Sequence, residues 1–539
     1  MKASSRHLAD LLDEMVERHP DQPAVIFEDE TLSYREFRDR AARVAKALYS
    51  LGVQRGDRVA LLMTNRTEWP VTAFGALQVG ATLVPLSTWY RQWDIDYALR
   101  HSGARVAIFM NEFRGNHYVD SVFGASPDSQ TSSTDTLSLE KFPDLHHLVV
   151  FGRDDVPDGA LAYDQMLALA DNVSDEELAT RRAALSPEDY CYILYTSGST
   201  AAPKAVMFQH FGCCENGYSI GATMHFTKDD RLWLVASMAW ALGSANGVSV
   251  VLAHGACMVL QEYMDPGKSL EVLEKSRATA VYVMPHIVNS LIEHPDFATR
   301  DLSSIRTGNT PGSKTDILTA IHNLAPQICT GYGATEMYGI CSHTDSTESE
   351  ELRSSSNGRP LPGMHVRVID PDSGLELPVG QTGEFVVSGL VVPGYWNNEE
   401  ANSKAFRDGA YYTGDLGYLG DDGRLHFVGR IKEIIRTGGI NVQPAEVEAF
   451  FITHPAIKEI YVVGLPDPEK VEIVAAFIQL HPGVSLTEEE LRQWAKARVA
   501  SYKIPSRFVF VTEADITRTV TGKVNKRELP AILDKLAVQ

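Results

Sequence analysis

The residues best suited to chemistry gather first between Thr196 and Lys204, inside the stretch YILYTSGSTAAPKAVMFQH that runs from Tyr192 to His210. A short apolar run leads into Thr196, Ser197, Gly198, Ser199 and Thr200, and a Pro-Lys pair closes the stretch at Lys204. Backbone N–H groups in such a turn converge on an anion, the hydroxyls add donors, and the lysine adds charge. Phosphate is the ligand this chemistry suits. The pattern G-x-x-x-x-G-K-[ST] is absent and no G-x-G-x-x-G follows a predicted strand, so neither of those phosphate-binding loops is expected. Ser/Gly turns also occur where nothing binds, and a plain turn stays open for this stretch taken alone.

Further residues carry chemistry by type and spacing. In GYGATE, Gly331 to Glu336, Tyr332 stands between Gly331 and Gly333, small neighbours that let a planar base approach its ring. Thr335 offers a hydroxyl to phosphate, and Glu336 offers a hard oxygen suited to Mg²⁺ carried on a nucleotide. A structured turn around a buried tyrosine is the alternative. In YYTGD, Tyr411 to Asp415, the carboxylate of Asp415 follows a tight turn and can accept both hydroxyl protons of a ribose, while Arg430 can add a guanidinium to the same sugar or to phosphate. A surface salt bridge uses the same two residue types. Lys523 lies on a glycine-containing loop, TVTGKVNKREL, which is also an ordinary setting for a solvated lysine.

A chain of 539 residues is too long for one ordinary core and predicts a large multi-layer domain with at least one smaller companion. Lys plus Arg total 49 against 70 Asp plus Glu, a net charge of −21. No broad nucleic-acid-binding surface is expected, and an anionic ligand needs a local basic site. The cysteines, Cys191, Cys213, Cys214, Cys257, Cys329 and Cys341, form no C-x-x-C pair, which predicts buried or reduced thiols in place of a zinc site. The opening MKASSRHLADLLDEMVERHP mixes charges with apolar residues at helical spacing, unlike a signal peptide. The longest apolar run, near GVSVVLAHGACMVL, is broken by His254 and too short to span a bilayer. A cytoplasmic protein without a membrane span is expected.

The elements that must position these residues alternate. Strand-like runs QPAVIFE, DRVALLM, ATLVPL, ARVAIFM and HLVVFG are interleaved with helical patterns such as YREFRDRAARVAKALYSLG, which predicts an α/β fold with largely parallel sheets. SPDSQTSSTDTLS, residues 126–138, reads as a polar surface loop. From about Gly363 the texture changes to the short β pieces MHVRVID, GEFVVSG and GRLHFVGR, a β-rich subdomain. After Arg430 a turn, a helix and a strand are followed by a second acidic helix, LTEEELRQWAKARV, enough for a compact α+β unit that begins near Lys432.

Taken together these motifs resemble the adenylate-forming superfamily, which includes acyl-CoA synthetases, adenylation domains of peptide synthetases and beetle luciferase. YTSGSTAAPKAV is similar to its phosphate loop, Y-T-S-G-[ST]-T-G-x-P-K-G, and GYGATE, YYTGD, GRIKEIIRTGGINVQPAEVE and TRTVTGK follow in the family's order. The resemblance covers essentially the full length. It implies a large N-terminal acyl- and nucleotide-binding domain, residues 1–431, made of α/β subdomains plus the β-rich part at about 363–431. It also implies a small mobile α+β C-terminal domain, residues 432–539, hinged at Lys432. The implied activity is attack of a carboxylate on the α-phosphate of ATP, releasing pyrophosphate, followed by displacement of AMP by CoA. No covalent enzyme nucleophile is needed, so positioning and charge stabilisation carry the rate.

The resemblance also assigns roles. Asp415 and Arg430 hold the ribose; Lys523 reaches the carboxylate and α-phosphate, with Thr517 standing where the family often has proline. Thr335 and Glu336 serve the phosphates and Mg²⁺. Trp240, Gly243, Ser244, Gly308 and Met337 fall at the acyl pocket, where Trp240 either gates access or is a buried core tryptophan. The small residues Gly243, Ser244, Ala245 and Gly247 predict room for a broad acyl group. Gly438 and Gly439 leave space for a pantetheine tunnel, or make a plain turn, and Arg436 attracts CoA phosphate. No Asp stands where amino-acid-activating relatives hold the substrate ammonium, which favours a non-amino carboxylic acid. Transfer to a carrier-protein pantetheine or an amine, and a degenerate acyl-adenylate-binding protein, are the alternatives.

Ala201 and Ala205 depart from the family pattern, which has glycine at both positions. If both sites need left-handed backbone, alanine costs roughly 1–2 kcal/mol at each and slows adenylation. The corresponding expectation is an enzyme whose thioester-forming step is sound and whose adenylation is weak, supplied with acyl-adenylate by a separate enzyme. Ordinary negative φ at either position is the alternative.

Overall fold

The computed structural model describes residues 6–123, 137, 139–153, 156–196, 203–312, 314–431, 435–442, 444–517, 524 and 526–536. The chain divides into two compact units, one comprising Met1–Thr88, Ala98–Tyr195 and Ala205–Ile431, the other Trp89–Tyr97, Thr196–Lys204 and Lys432–Gln539. The larger unit is mixed α/β. The expected polar loop at 126–138 lies, apart from Leu137, outside the described residues.

Two seven-stranded sheets organise the larger unit. One runs in the order Lys204–Gln209, Tyr190–Thr196, Thr82–Leu86, Arg58–Leu62, Val106–Met110, His147–Phe151, Ala160–Ala162. Its central strands read as unbroken apolar runs because both faces are covered, and Thr82–Leu86 and Val106–Met110 are buried along their whole length. The helix Tyr34–Ser50 lays Phe37, Ala41, Val44, Ala45 and Leu48 inward at helical spacing. It starts where the sequence dictates: Glu36 donates its N–H to the Ser33 hydroxyl at 3.3 Å and its carboxylate accepts the Ser33 N–H at 2.8 Å.

The other sheet runs Gln327–Cys329, Thr307–Asn309, Ala280–Tyr282, Arg231–Leu234, Cys257–Leu260, Pro23–Phe27, Glu30–Ser33, parallel except for the last pair. One carboxylate clamps the starts of three adjacent strands. Asp230, immediately before Arg231, accepts two bonds from Arg306 at 2.6 and 3.0 Å, the Thr279 hydroxyl at 2.6 Å and the Thr227 N–H at 2.8 Å. Arg306 and Thr279 immediately precede their own strands. Clamping the starts sets the register of the opposite ends, from which the segments Val235–Ala241 and Thr310 onward emerge.

The β-rich part is an antiparallel sheet built from Met364–Ile369, Gly383–Gly389, Ala410–Leu419 and Phe406–Arg407, with Leu425–Arg430 paired on Ala410–Leu419. In the smaller unit Val471–Leu480 pairs with Ile457–Asp467, Ile435–Thr437 and Arg507–Phe510, and the helices Pro444–Phe451 and Glu488–Lys496 complete it. IIRTGGINV, read from sequence as a turn, is a hairpin of Ile435–Thr437 on Ile440–Val442. Among the described residues no helix is long and apolar enough to cross a membrane.

Burial acts to raise the pKa of Asp230, but its bonds to Arg306, Thr279 and the Thr227 N–H outweigh that and hold it below the ordinary value of 3.8. A carboxylate depressed in the folded state contributes stability above its unfolded pKa and loses that contribution as pH falls through the folded value. Asp230→Asn is therefore expected to lose about 3 kcal/mol near neutral pH, the low end for breaking a buried pair because Arg306 is partly exposed. The gap between parent and variant in urea unfolding closes as pH drops below about 4; a gap independent of pH would show that the charge is not what clamps the strands.

Candidate functional site

The strands Gly331–Tyr332 and Ser342–His343 pair antiparallel, and the GYGATE segment forms the reversal between them. Gly331 and Gly333 are small because the chain passes itself closely: a Cβ at Gly331 would collide with the Ser342 carbonyl and one at Gly333 with the Gly339 carbonyl. Tyr332 donates its hydroxyl to Asp415 Oδ2 at 2.8 Å, and both side chains are buried. Two motifs 83 residues apart in sequence thus meet directly. The Tyr332 ring stacks on Phe427 with centroids 5.8 Å apart and planes 21° apart, and leans on Phe385 at 5.1 Å. Phe427 thus covers one face of the Tyr332 ring. Burial, reinforced by the neighbouring Asp415 carboxylate, pushes the phenol pKa well up, so Tyr332 remains a donor.

Asp415 stands opposite Arg430 in the register of Ala410–Leu419 on Leu425–Arg430. The Arg430 side chain lies outside what the structure describes. Gly414, with φ 69°, turns the backbone just before Asp415, and its N–H is held by Glu384 at 2.9 Å.

Thr335–Met337 is a single tight turn closed by N–H bonds from Met337 and Gly339 to the Ala334 carbonyl, at 2.9 and 3.0 Å. Glu336 is buried, and Tyr395 donates its hydroxyl to Glu336 Oε1 at 2.7 Å. Tyr395 is itself pinned beside the strand Lys204–Gln209: it bridges Val206, and its neighbours Gly394 and Trp396 bond Met207 and Ala205 at 3.0 and 2.8 Å. The strand that leaves the predicted phosphate loop is thereby tied to the carboxylate of GYGATE. Glu336 suits Mg²⁺ by donor type, and among the described residues no group of three or more His, Cys, Asp or Glu could hold a metal. This donor set fits an ion that arrives on nucleotide phosphates and takes one carboxylate from the protein.

Of the predicted phosphate loop, Thr196 ends the strand Tyr190–Thr196 and its hydroxyl reaches the Lys204 carbonyl at 3.5 Å. Ser197, Gly198, Ser199, Thr200 and Ala201 lie outside the described residues, as do Lys432 and Lys523. Ala205 is described: it is buried in the strand Lys204–Gln209 and is not among the described non-glycine residues with positive φ. Extended backbone accepts alanine without strain, so the cost expected at Ala205 is absent.

The small residues near Trp240 also have a structural reason. Leu242–Val248 is a π-helical turn in which the Asn246 N–H reaches back five residues to the Ala241 carbonyl at 2.8 Å. A Cβ at Gly243 would sit 2.5 Å from the Ser237 carbonyl, and one at Gly247 would sit 2.6 Å from Leu234. Ser244 is buried and donates its hydroxyl to the Trp240 carbonyl at 3.1 Å, and Ala245 is buried. The space a side chain would take at Gly308 is filled by Val281 and Ile328, and Met337 is buried in the core. Gly243, Gly247 and Gly308 therefore each have a packing reason to be small, in the π turn and in the sheet. Trp240 is partly exposed at the head of this turn.

In the smaller unit Gly438 and Gly439 occupy the two central positions of the hairpin with φ 56° and 80°, the conformation of a two-residue type I′ turn that needs positive φ at both. A Cβ at Gly438 would meet nothing within 4 Å, so conformation alone explains that glycine. The N–H of Arg436 donates to Glu472 at 2.7 Å.

Residues 12–396 match the family described as AMP-binding enzyme, and residues 446–523 match the AMP-binding enzyme C-terminal domain. The chain belongs to the AMP-binding enzymes, the adenylate-forming superfamily. YngI of Bacillus subtilis (strain 168) is 33% identical over 527 residues, covering 96% of this chain and 95% of that protein. The medium-chain acyl-CoA ligase ACSF2, mitochondrial, of Bos taurus is 29% identical over 543 residues, covering 98% and 87%. Among solved structures, ATP-bound MatB from Rhodopseudomonas palustris superposes with a TM-score of 0.67 at 26% identity, covering 97% of this chain and 98% of that one.

Within this AMP-binding enzyme, Tyr395 is a residue that sequence reasoning passed over; its signal was an aromatic pair after glycine, GYW, between two turns. Asn216 and Asn246, buried polar residues inside otherwise apolar helical runs, were passed over as well. Tyr395→Phe removes one donor from the buried Glu336 carboxylate. The variant is expected to lose about 1.5–3 kcal/mol, seen as a lower urea midpoint at unchanged slope. An unchanged midpoint would exclude Tyr395 as the group that holds Glu336.

Proposed function

We propose that this AMP-binding enzyme is an acyl-CoA ligase acting on an apolar, non-amino carboxylic acid. A carboxylate oxygen attacks the α-phosphorus of ATP and the bond to pyrophosphate breaks; the CoA thiolate then attacks the acyl carbon and AMP leaves. The observation that carries the reading is the 2.8 Å contact between Tyr332 and Asp415, which joins GYGATE to YYTGD around a buried carboxylate beside the Thr335–Met337 turn. The acyl-CoA ligase relative aligned over nearly the whole chain supports a thiol acceptor. All six cysteines are buried thiols, in keeping with a reaction that uses no protein nucleophile.

In this reading Asp415 and Arg430 hold the ribose and Thr335 faces phosphate. Glu336 would hold Mg²⁺ carried on ATP, and that ion would supply charge stabilisation to the phosphates. Thr196, Ser197, Gly198, Ser199, Thr200 and Lys204 wrap the β- and γ-phosphates, and Lys523 stabilises the charge that develops at the α-phosphate. Lys432 is the pivot between half-reactions, with Arg436 near the CoA phosphates. Trp240 bounds an acyl site completed by Gly243, Ser244, Gly308 and Met337, which takes a bulky apolar acid. Incubation of a panel of carboxylic acids with ATP, Mg²⁺ and CoA, read by mass spectrometry, is expected to give acyl-CoA and pyrophosphate in equal amounts. Pyrophosphate without thioester, or acyl transfer only to an amine or a carrier protein, would overturn the choice of acceptor.

The chain makes its own acyl-adenylate in this reading, slowed by Ala201 alone. One alanine in a left-handed site is worth roughly 1–2 kcal/mol, or about 5- to 30-fold in rate. Ala201→Gly is therefore expected to speed pyrophosphate release by that factor, whereas Ala205→Gly leaves it unchanged. Absence of pyrophosphate with every acid, together with thioester formation from synthetic acyl-adenylate, would restore a separate enzyme as the source of adenylate.

A further inference from the structure

Trp240 and the Thr335–Met337 turn belong to different motifs, yet a buried pair of amides ties them together. Asn246, within the π turn headed by Trp240, is buried and donates from Nδ2 to the Tyr338 carbonyl at 2.8 Å and to Asn216 Oδ1 at 3.0 Å. Asn216, fully buried, donates in turn to the Ile340 carbonyl at 2.7 Å. Both carbonyls can only accept, so the two amide orientations are determined by their partners. The amides thus take the carbonyls on either side of Gly339, and a Cβ at Gly339 would collide with Asn246.

The corner they hold is strained. Tyr338 has φ 55° and Gly339 φ 99°, and a left-handed tyrosine persists only where its surroundings impose it. Its ring is fully buried, edge-on to Phe208 with centroids 5.3 Å apart, and fills the space beside Gly212. Immediately upstream, the Gly339 N–H closes the turn that carries Thr335 and Glu336. On the other side, the Asn246 N–H bonds Ala241, the residue after Trp240. One side chain therefore spans two turns, with backbone bonds leading from it to each.

We infer that Asn246 is a positioning residue that sets acid selectivity: it holds the Trp240 turn and the Glu336 turn in one register, so that the acyl and adenylate ends of the site shift together. This rests on the ligase reading above, with Trp240 bounding the acid. A rigid register makes the attack geometry sensitive to the acid's shape; without the amide the two turns relax separately and poorly fitting acids are discriminated less.

The test compares two acids of different bulk, both turned over by the parent enzyme, through the ratio of their kcat/KM values. The ratio cancels the folded fraction, so loss of stability alone does not move it. Asn246→Ala is expected to change it by at least about fivefold, roughly 1 kcal/mol of differential transition-state stabilisation. Val250→Ala, a core truncation in the adjoining helix Ser249–His254, is expected to leave it within about twofold. In Asn246→Asp a carboxylate would face two acceptors, whereas its protonated form can donate one bond, so the ratio is expected to return toward the parent value as pH falls. Should Asn246→Ala not fold, Asn246→Ser, which keeps a donor, carries the same comparison. An unmoved ratio in the Asn246 variants, or an equal shift in Val250→Ala, overturns the inference alone; a parent that activates no acid removes the ligase reading and this inference with it.

Discussion

A single buried carboxylate, Asp230, fixes the starts of three neighbouring parallel strands, and much of the candidate site is set by where those strands end. It takes two bonds from Arg306, one from Thr279 and one from the Thr227 N–H. Parallel strands have no hairpin to set their register, so a side-chain clamp at one end does for them what a tight turn does for antiparallel pairs. From the far ends emerge the segment leading to Trp240 and the segment from Thr310 onward, while GYGATE follows the neighbouring strand Gln327–Cys329. Their placement follows from the sheet, and local propensity plays little part in it.

Around the far ends, buried polar contacts join motifs distant in sequence. Tyr332 meets Asp415, Tyr395 meets Glu336, and Asn246 meets the Tyr338 carbonyl. Each leaves an acceptor satisfied in a place where an unmade bond costs about 1–3 kcal/mol. Such contacts define one arrangement more sharply than apolar packing does, because a small shift breaks a hydrogen bond but only loosens a van der Waals contact. Preorganisation of this kind suits a reaction whose rate comes from charge stabilisation and positioning.

The motifs that identify the family were legible because their chemistry is carried by residue type and order, and the β-rich texture after Gly363 was legible from alternation. Other inferences stayed open for one reason: a small residue has more than one use. Gly243, Ser244 and Gly308 are small to let the π turn and sheet pack, although from sequence alone they resemble the lining of a cavity. Gly331 and Gly333 make way for the chain itself. Ala205 occupies an ordinary strand position, although the family form places glycine there. Tyr395 carried only a weak signal, an aromatic pair after a glycine.

The sequence by itself determined the family, the order of the elements, the capped helix at Ser33, the free cysteine thiols and the two glycines of the Gly438–Gly439 hairpin, because each depends on local chemistry or on the order of residues along the chain. Tertiary structure decided which carboxylate clamps the sheet, which face of Tyr332 is covered, what fills the space beside each glycine and which amide spans the two turns. Those outcomes depend on distances between residues far apart in the chain, and such distances exist only once the sheets have closed and excluded water.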